Sequence, residues 1–488
     1  MNAVPAGVIA VLAGAATVFA FAPVGAFPLA LATLAVLTHL WAAATPRRCF
    51  VSGFWFGLGL FGAGVSWIYV SMTQFGGMPP VLAAAATAFF CAFLALFPAT
   101  AGWLQARIPA APALRALLLI PAAWTLFEWL RVWVLTGFPW LAVGYAGTGW
   151  PVQGYAPLAG VLGVTFAMLS LSGAAWMLVA RRSPALALAV LLALPVGGEI
   201  LRHVPWTSPA GVPFTAALLQ GNIPQELKFH PDRYERTLET YARLAEETRA
   251  RLVVLPETAV PRFYDRVDPA YLARLEAAAR ANGGDVLLGV PSRTEAGAYF
   301  NSVVSLGTSP RQTYHKVHLV PFGEFIPPGF AWTLRLVDIP LADFSRGAAG
   351  QPPFAVAGQR VAVNVCYEDA FGDEIARAAA QATLLVNLSN VAWFGDSLAP
   401  GQHLQIARLR AIETGRMHLA ATNTGVTAAI DRDGRVTAQL PSFAEGRLEI
   451  TAQGYSGLTP YLRWNDWPIL AASLAILAGA VFAARRSR

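Results

Sequence analysis

Eight times along the chain the residues stay apolar for long enough to cross a hydrocarbon layer about 30 Å thick: over 4–22, 27–44, 51–72, 80–104, 116–135, 157–180, 184–201 and 467–484. Nothing else narrows the fold so far, because backbone inside lipid must satisfy its own polar groups, and apolar runs of this length do so as helices. The first run has no basic segment ahead of it and is followed at once by further runs, so it reads as a retained span and not as a cleaved secretion signal. Arginines punctuate alternate turns: Arg47 and Arg48, Arg107 and Arg115, Arg181 and Arg182, and the closing ARRSR. Placing these on the cytoplasmic side satisfies the positive-inside rule. Seven spans then precede residue 205, the eighth returns the chain inward, and residues 205–466 lie outside the cytoplasm.

Composition divides the chain the same way. Residues 1–204 contain no Lys and no Asp, and most of the acids lie between 206 and 466. Only 13% of all residues are charged, against about 25% in an average soluble domain. The net charge of +7 does not form a basic stripe with interleaved aromatics, which argues against a nucleic-acid partner. Inside the fifth run, Glu128 and Arg131 are one helical turn apart, and both a structural brace and a functional polar site fit that spacing. The outer turn after it, TGFPWLAVGYAGTGWPVQGY, carries Trp140, Tyr145, Trp150 and Tyr155, as interface-seeking aromatics do.

Between 205 and 466, short β-branched runs (FTAALLQGN, RLVVLPETAV, DVLLGVPSR, FNSVVSLG, RVAVNVCYED, TLLVNLSN, HLAATNTGVTAAI) alternate with stretches at helical spacing over 234–281. That pattern predicts an α/β domain on large, mostly buried sheets. There is no short internal repeat, low-complexity linker or Gly-rich phosphate loop.

Three residues in this region point to chemistry. The chain has only two lysines, Lys228 and Lys316, among 35 basic residues; in so Arg-biased a chain, Lys316 within TYHKVHLVPFGEF suggests a site that needs a compact ammonium and not a planar guanidinium. Of the three cysteines, Cys49 falls in a cytoplasmic loop and Cys91 in the fourth span, which leaves Cys366 a lone thiol in an oxidising compartment. It ends a hydrophobic strand, VAVNVCYED, where a sheet edge opens to polar residues. A nucleophilic thiol needs a nearby cation and a proton acceptor, which Lys316 and Glu257, at the end of the strand RLVVLPET, can supply. His315 and His318 flank Lys316 at a spacing that suits polar packing better than metal ligation.

The segments LPETAVPRF, HKVHLVPFGEFIP and NVCYED resemble the Glu, Lys and Cys signatures of the nitrilase, or carbon–nitrogen hydrolase, superfamily. Together with GFPWLAVGY, LLQGNIPQELKF, NLSNVAWFGDSLAPGQHLQIARLRAIETGR and LTPYLRWNDWP, the whole chain resembles the apolipoprotein N-acyltransferase family. The resemblance implies a polytopic bundle of eight transmembrane helices (1–204 and 467–488) carrying an extracytoplasmic α-β-β-α sandwich (205–466) in a bacterial inner membrane, with the catalytic domain on the periplasmic face. It implies Glu257 as general base, Lys316 as stabiliser of the oxyanion and Cys366 as nucleophile, supported by Glu324, Tyr367, Glu368 and Asn301, the last holding the oxyanion or a neighbouring loop. Glu324 is expected to anchor Lys316. Trp140, Phe325 and Trp393 are expected along an acyl route formed by the aromatic outer turn and apolar loops such as PFGEFIPPGFAW. Phe229 stands where the family pattern suggests Trp, and Val391 where an acid is common.

The implied reaction needs no metal and no cofactor: an acyl chain passes from a phospholipid to Cys366 and then to the α-amine of a diacylglyceryl apolipoprotein, with the enzyme a monomer in the bilayer. Two other readings use the same chain: a membrane-anchored nitrilase-type amidase acting on a small molecule, and a transporter with an outer sensing domain. Eight spans exceed what a water-soluble substrate requires, and the spans carry few charges or broken repeats of a transporter kind.

Overall fold

The computed structural model describes residues 3–327 and 343–486; the outer part of the expected apolar loop, 328–332, lies outside the described residues. Two compact units form, one of Met1–Tyr69, Pro79–Val204 and Arg463–Arg488, the other of Val70–Met78 and Pro205–Leu462.

The first unit is helical. Among the described residues, five of its helices are long and apolar enough to cross a membrane: Pro80–Ala106, Pro112–Leu130, Pro151–Val179, Pro184–Arg202 and Trp467–Arg486. A sixth exists if Pro46–Gly64 and Trp67–Phe75, bent by 50° at their junction, count as one span. Ala3–Thr17 and Phe27–Ala42 are shorter helices. The expected third span, 51–72, differs at both ends. Thr45 accepts the Arg48 N–H and Pro46 occupies the first turn, so capping starts the helix ahead of the apolar run. Past Gly62 and Gly64 it breaks, and Val70–Met78 joins the second unit. Small residues let the helices touch: a Cβ on Gly14 would lie 2.0 Å from the Phe56 carbonyl oxygen, and one on Gly59 2.1 Å from that of Val11.

Glu128 and Arg131 form a buried pair at 3.6 Å. Glu128 also accepts from the Val143 N–H at 2.9 Å, the Thr165 hydroxyl at 2.5 Å and the Trp124 indole at 3.3 Å. Arg131 donates to the carbonyls of Phe138 and Trp140 at 2.6 and 2.5 Å. The bonds to Val143, Thr165, Phe138 and Trp140 tie this helix to other segments of the bundle, which favours the brace.

Among the described residues of the second unit, twelve strands form two six-stranded sheets. The first runs β12-β1-β2-β3-β4-β5, with β1 Ser208–Gln220, β2 Leu252–Val254, β3 Asp285–Arg293, β4 Tyr299–Gly307, β5 Thr313–His315 and β12 Gly446–Ser456. The second runs β11-β10-β9-β8-β7-β6, with β6 Phe354–Val356, β7 Gln359–Val365, β8 Leu384–Ser389, β9 His418–Thr422, β10 Ala428–Ile430 and β11 Val436–Gln439. Alternation decides which sheet face each side chain joins. Ala216 and Leu218 of β1 enter the core shared with Val363, Val386 and Leu419 of the other sheet; Ala217 and Leu219 point the opposite way, onto the helices Pro231–Glu246 and Pro269–Ala281. On the far side of the second sheet, Ala362 and Leu385 meet the helix Gly372–Ala379, and Ile430 meets Ala399–Thr414. The layers are therefore α-β-β-α. The strands β1, β2 and β3 are parallel, as are β7, β8 and β9, so their carboxyl ends gather at one edge of each sheet, where open α/β sheets carry their sites.

Candidate active site

Glu257 follows β2 by a short turn. Gly289 of β3 makes room for that turn, since a Cβ there would lie 2.2 Å from the Pro256 carbonyl oxygen. One carboxylate oxygen of Glu257 accepts from the Asn301 amide on β4 at 2.7 Å and lies 3.4 Å from the Lys316 ammonium; the other accepts the Asn390 N–H, just beyond β8, at 2.7 Å. That last bond joins the strand ends of the two sheets. Burial pushes the Glu257 carboxyl up, but Lys316, the Asn301 amide, Lys228 and the Asn390 N–H outweigh it and hold it below the ordinary carboxylate value.

Lys316 directly follows β5 and is 1% exposed. Its N–H donates to the Asn301 carbonyl and its carbonyl accepts from Gly347, both at 2.8 Å. Its ammonium stands 2.9 Å from the Glu324 carboxylate, which also accepts the Asn301 amide at 2.7 Å and the Val320 N–H at 2.8 Å. Burial would lower the Lys316 pKa, yet Glu324 and Glu257 raise it above its ordinary value, so this lysine stays charged. Glu324 thus sits where an anchor for Lys316 would. Asn301 bridges the two carboxylates by its amide, a placement closer to a loop clamp than to an oxyanion donor.

Cys366 follows β7 with φ at 54°, in the left-handed region that side chains with a Cβ avoid. Its carbonyl accepts from the Asn387 amide at 3.1 Å and from His403 Nε2 at 3.3 Å, which fixes the bend. The thiol lies within the fields of Glu257, Lys316 and Glu324. Burial and the Glu257 charge push it up to about 12 against the opposing pull of Lys316. Two carboxylates already neutralise that ammonium, so the resting sulfur is a protonated thiol, and activation requires a base in addition to the cation.

Glu368 accepts the N–H groups of Val317 and Val365 at 2.6 Å, that of His318 at 3.1 Å and the Tyr314 hydroxyl at 3.0 Å. It locks the segment after Lys316 to the turn of Cys366. Burial raises its carboxyl to about 7. Tyr367 packs edge-on against Phe371 at 5.0 Å. His315 bonds the Ser302 hydroxyl at 2.9 Å, and His318 pairs with Glu374 at 3.0 Å and stacks on Phe371.

The aromatic candidates fall in different surroundings. Trp393, three residues beyond Asn390, meets Phe75 edge-on at 6.1 Å. Phe325 lies under the Arg346 guanidinium at 5.2 Å and accepts the Phe322 N–H through its carbonyl. Trp140 is 3% exposed in the helical unit, against Trp67 and Phe138. Val391 is buried on Gly425, and Phe229 is half-buried.

Sequence reasoning passed over Lys228. It is 2% exposed, and its ammonium donates to the Glu257 carbonyl oxygen at 3.1 Å. Burial lowers its pKa to about 8, against the opposing pull of Glu257 and Cys366. The scarcity of lysine that singled out Lys316 applied equally to this residue. Asn390, Asn387 and His403 were also missed, because amides and a helical histidine carry no spacing signal.

Residues 13–174 match the family "Apolipoprotein N-acyltransferase N-terminal domain", and residues 215–458 match "Carbon-nitrogen hydrolase". The chain is 48% identical to the apolipoprotein N-acyltransferase of Nitrosomonas europaea, over 97% of both chains. It is 46% identical to that of Methylococcus capsulatus, over 96% of this chain and 94% of the relative, and 46% identical to that of Chromobacterium violaceum, over 98% and 94%.

Proposed function

The chain belongs to the apolipoprotein N-acyltransferase family, and on that premise we propose that Cys366 carries the acyl group, Glu257 moves the protons and Lys316 meets the oxyanion. The protein is an enzyme of lipoprotein biosynthesis, an N-acyltransferase with a carbon–nitrogen hydrolase fold; the transporter reading falls away. The observation that carries the residue assignment is the buried Glu257–Lys316–Glu324 cluster in whose field the Cys366 thiol sits.

In the first half-reaction Glu257 takes the thiol proton as sulfur attacks an ester carbonyl of a phospholipid. A thiol held near 12 does not ionise ahead of attack, so proton transfer and C–S bond formation proceed together. An ammonium has three donors; two meet Glu257 and Glu324, and the third is assigned to the tetrahedral oxyanion. Collapse expels the alkoxide of a lysophospholipid, which takes the proton from Glu257 and leaves a thioester. In the second, the α-amine of a diacylglyceryl apolipoprotein attacks the thioester and gives its proton to Glu257. Collapse then forms the amide, and the departing sulfur recovers that proton.

The membrane placement follows from the same premise. Five long apolar helices, the bent pair and the two shorter ones support eight spans in a bacterial inner membrane, with the sandwich on the periplasmic side. Both substrates of this reaction carry acyl chains that partition into lipid, and Phe325 and Trp393 are assigned to the acyl route.

Intact-protein mass spectrometry tests the reading. Exposure to phospholipid is expected to add one acyl mass at Cys366, and a diacylglyceryl peptide is expected to remove it as an N-acyl product. Discharge to free fatty acid with no dependence on the peptide would favour the amidase.

A further inference from the structure

Among the described residues, Lys228 is a buried charged group beside Glu257 that the steps above leave without a task. It stands beyond β1, directly after the turn Gln225–Leu227, and its neighbourhood is built: Gln225 accepts the Asn390 side-chain amide at 2.8 Å, while the Asn390 N–H holds Glu257. Lysine is almost never fully buried unless its charge is compensated. Holding a carbonyl oxygen is work that a neutral amide does at far lower desolvation cost, so anchoring the turn does not account for an ammonium. What an ammonium adds is its field. The effect runs in both directions, because Lys228 helps hold the Glu257 carboxyl down while Glu257 supports the charge on Lys228.

Around Glu257 stand Lys316 and Glu324 from the segment after β5, Cys366 from the end of β7, His403 from the helix Ala399–Thr414 and Lys228 from the turn after β1. Lys316 is shared between two carboxylates, so its single charge cannot balance both. Lys228 brings a second cation to Glu257, while Lys316 also acts on the Glu368 carboxyl.

We propose that Lys228 is a positioning residue of the acyl transfer, acting through Glu257: it fixes the turn that bears the carboxylate and supplies the second positive charge that keeps this base ionised. The inference rests on Glu257 being the base.

The test uses the full chain in phospholipid nanodiscs, with the pH dependence of single-turnover acylation of Cys366 as readout. In Lys228→Met the Glu257 carboxyl loses a stabilising cation and rises, so the acid limb is expected to move to higher pH by about one unit or more, with the half-saturating phospholipid concentration unchanged. Lys228→Arg, which keeps the charge, is expected to return the limb toward its wild-type place. A folded Lys228→Met with an unmoved limb overturns the proposal. If Lys228→Met does not fold, Lys228→Gln is read in its place; should neither neutral variant fold while Lys228→Arg does, the requirement is for folding alone and the proposal is likewise overturned. Glu257→Gln separates this from the premise: acylation at the wild-type rate there removes Glu257 as base, whereas an inactive Glu257→Gln beside an unmoved limb in Lys228→Met removes only Lys228.

Discussion

The helical unit and the sandwich each bury an acid against a base, and they put the pair to different ends. Glu128 and Arg131 bind within their own unit: the carboxylate takes an amide, a hydroxyl and an indole, and the guanidinium spans two carbonyls. A planar fork suits that work, because it reaches several fixed oxygens at once. Glu257 and Lys316 are as deeply buried, but they stand in the field of the Cys366 thiol, on strand ends and not within a helix, and the cation is a compact ammonium. Burial of charge therefore does not mark a site. What marks it is a charge that still has a partner to gain during the reaction.

Four measurements press on this contrast. Cys366→Ser should abolish the acyl adduct and lower turnover by about a thousandfold or more, since a serine hydroxyl is far harder to ionise than a thiol. Lys316→Arg should lose about a hundredfold or more in single-turnover acylation, because the fork cannot place one donor where the oxyanion forms; near wild-type turnover would refute the assigned role. Arg131→Met should behave in the opposite manner, with turnover per folded molecule kept and unfolding made easier by about 3–5 kcal/mol, the cost of leaving a buried carboxylate unpaired. If it instead stops acylation in stably folded protein, the contrast fails. The smallest effect is on pH. A carboxyl held below its ordinary value of 4.5 stays ionised to lower pH, so acylation should persist to below that value. The stability that Glu257 gains from its partners should be complete above the unfolded value and be lost as pH falls through the folded one; melting curves against pH check the sign.

Much of this contrast was legible in the residues. The apolar runs gave the helices because length and composition decide that question, and the spacing of Glu128 and Arg131 gave their contact. Scarcity pointed to Lys316 and isolation to Cys366. The break after Gly64 was not legible, because the two helices still pass together as one apolar run. Short or edge strands such as β5, β6, β11 and β12 escaped notice, since one exposed side or a few residues leave too little alternation to read. Lys228 shared the scarcity of Lys316, but its contact is with a backbone carbonyl 29 residues away in sequence, which no local pattern records. Asn301 was expected to hold the oxyanion or a neighbouring loop, and its place between two carboxylates depends on the pairing of β4 with its neighbours.

The left-handed backbone at Cys366 bears on how such a gene would decay. Any residue with a Cβ is strained there by about 1–2 kcal/mol, and glycine is not. Copies of this chain released from the need to acylate can relax that strain with glycine at position 366, at the cost of the side chain's packing against the core between the sheets, and should be inert.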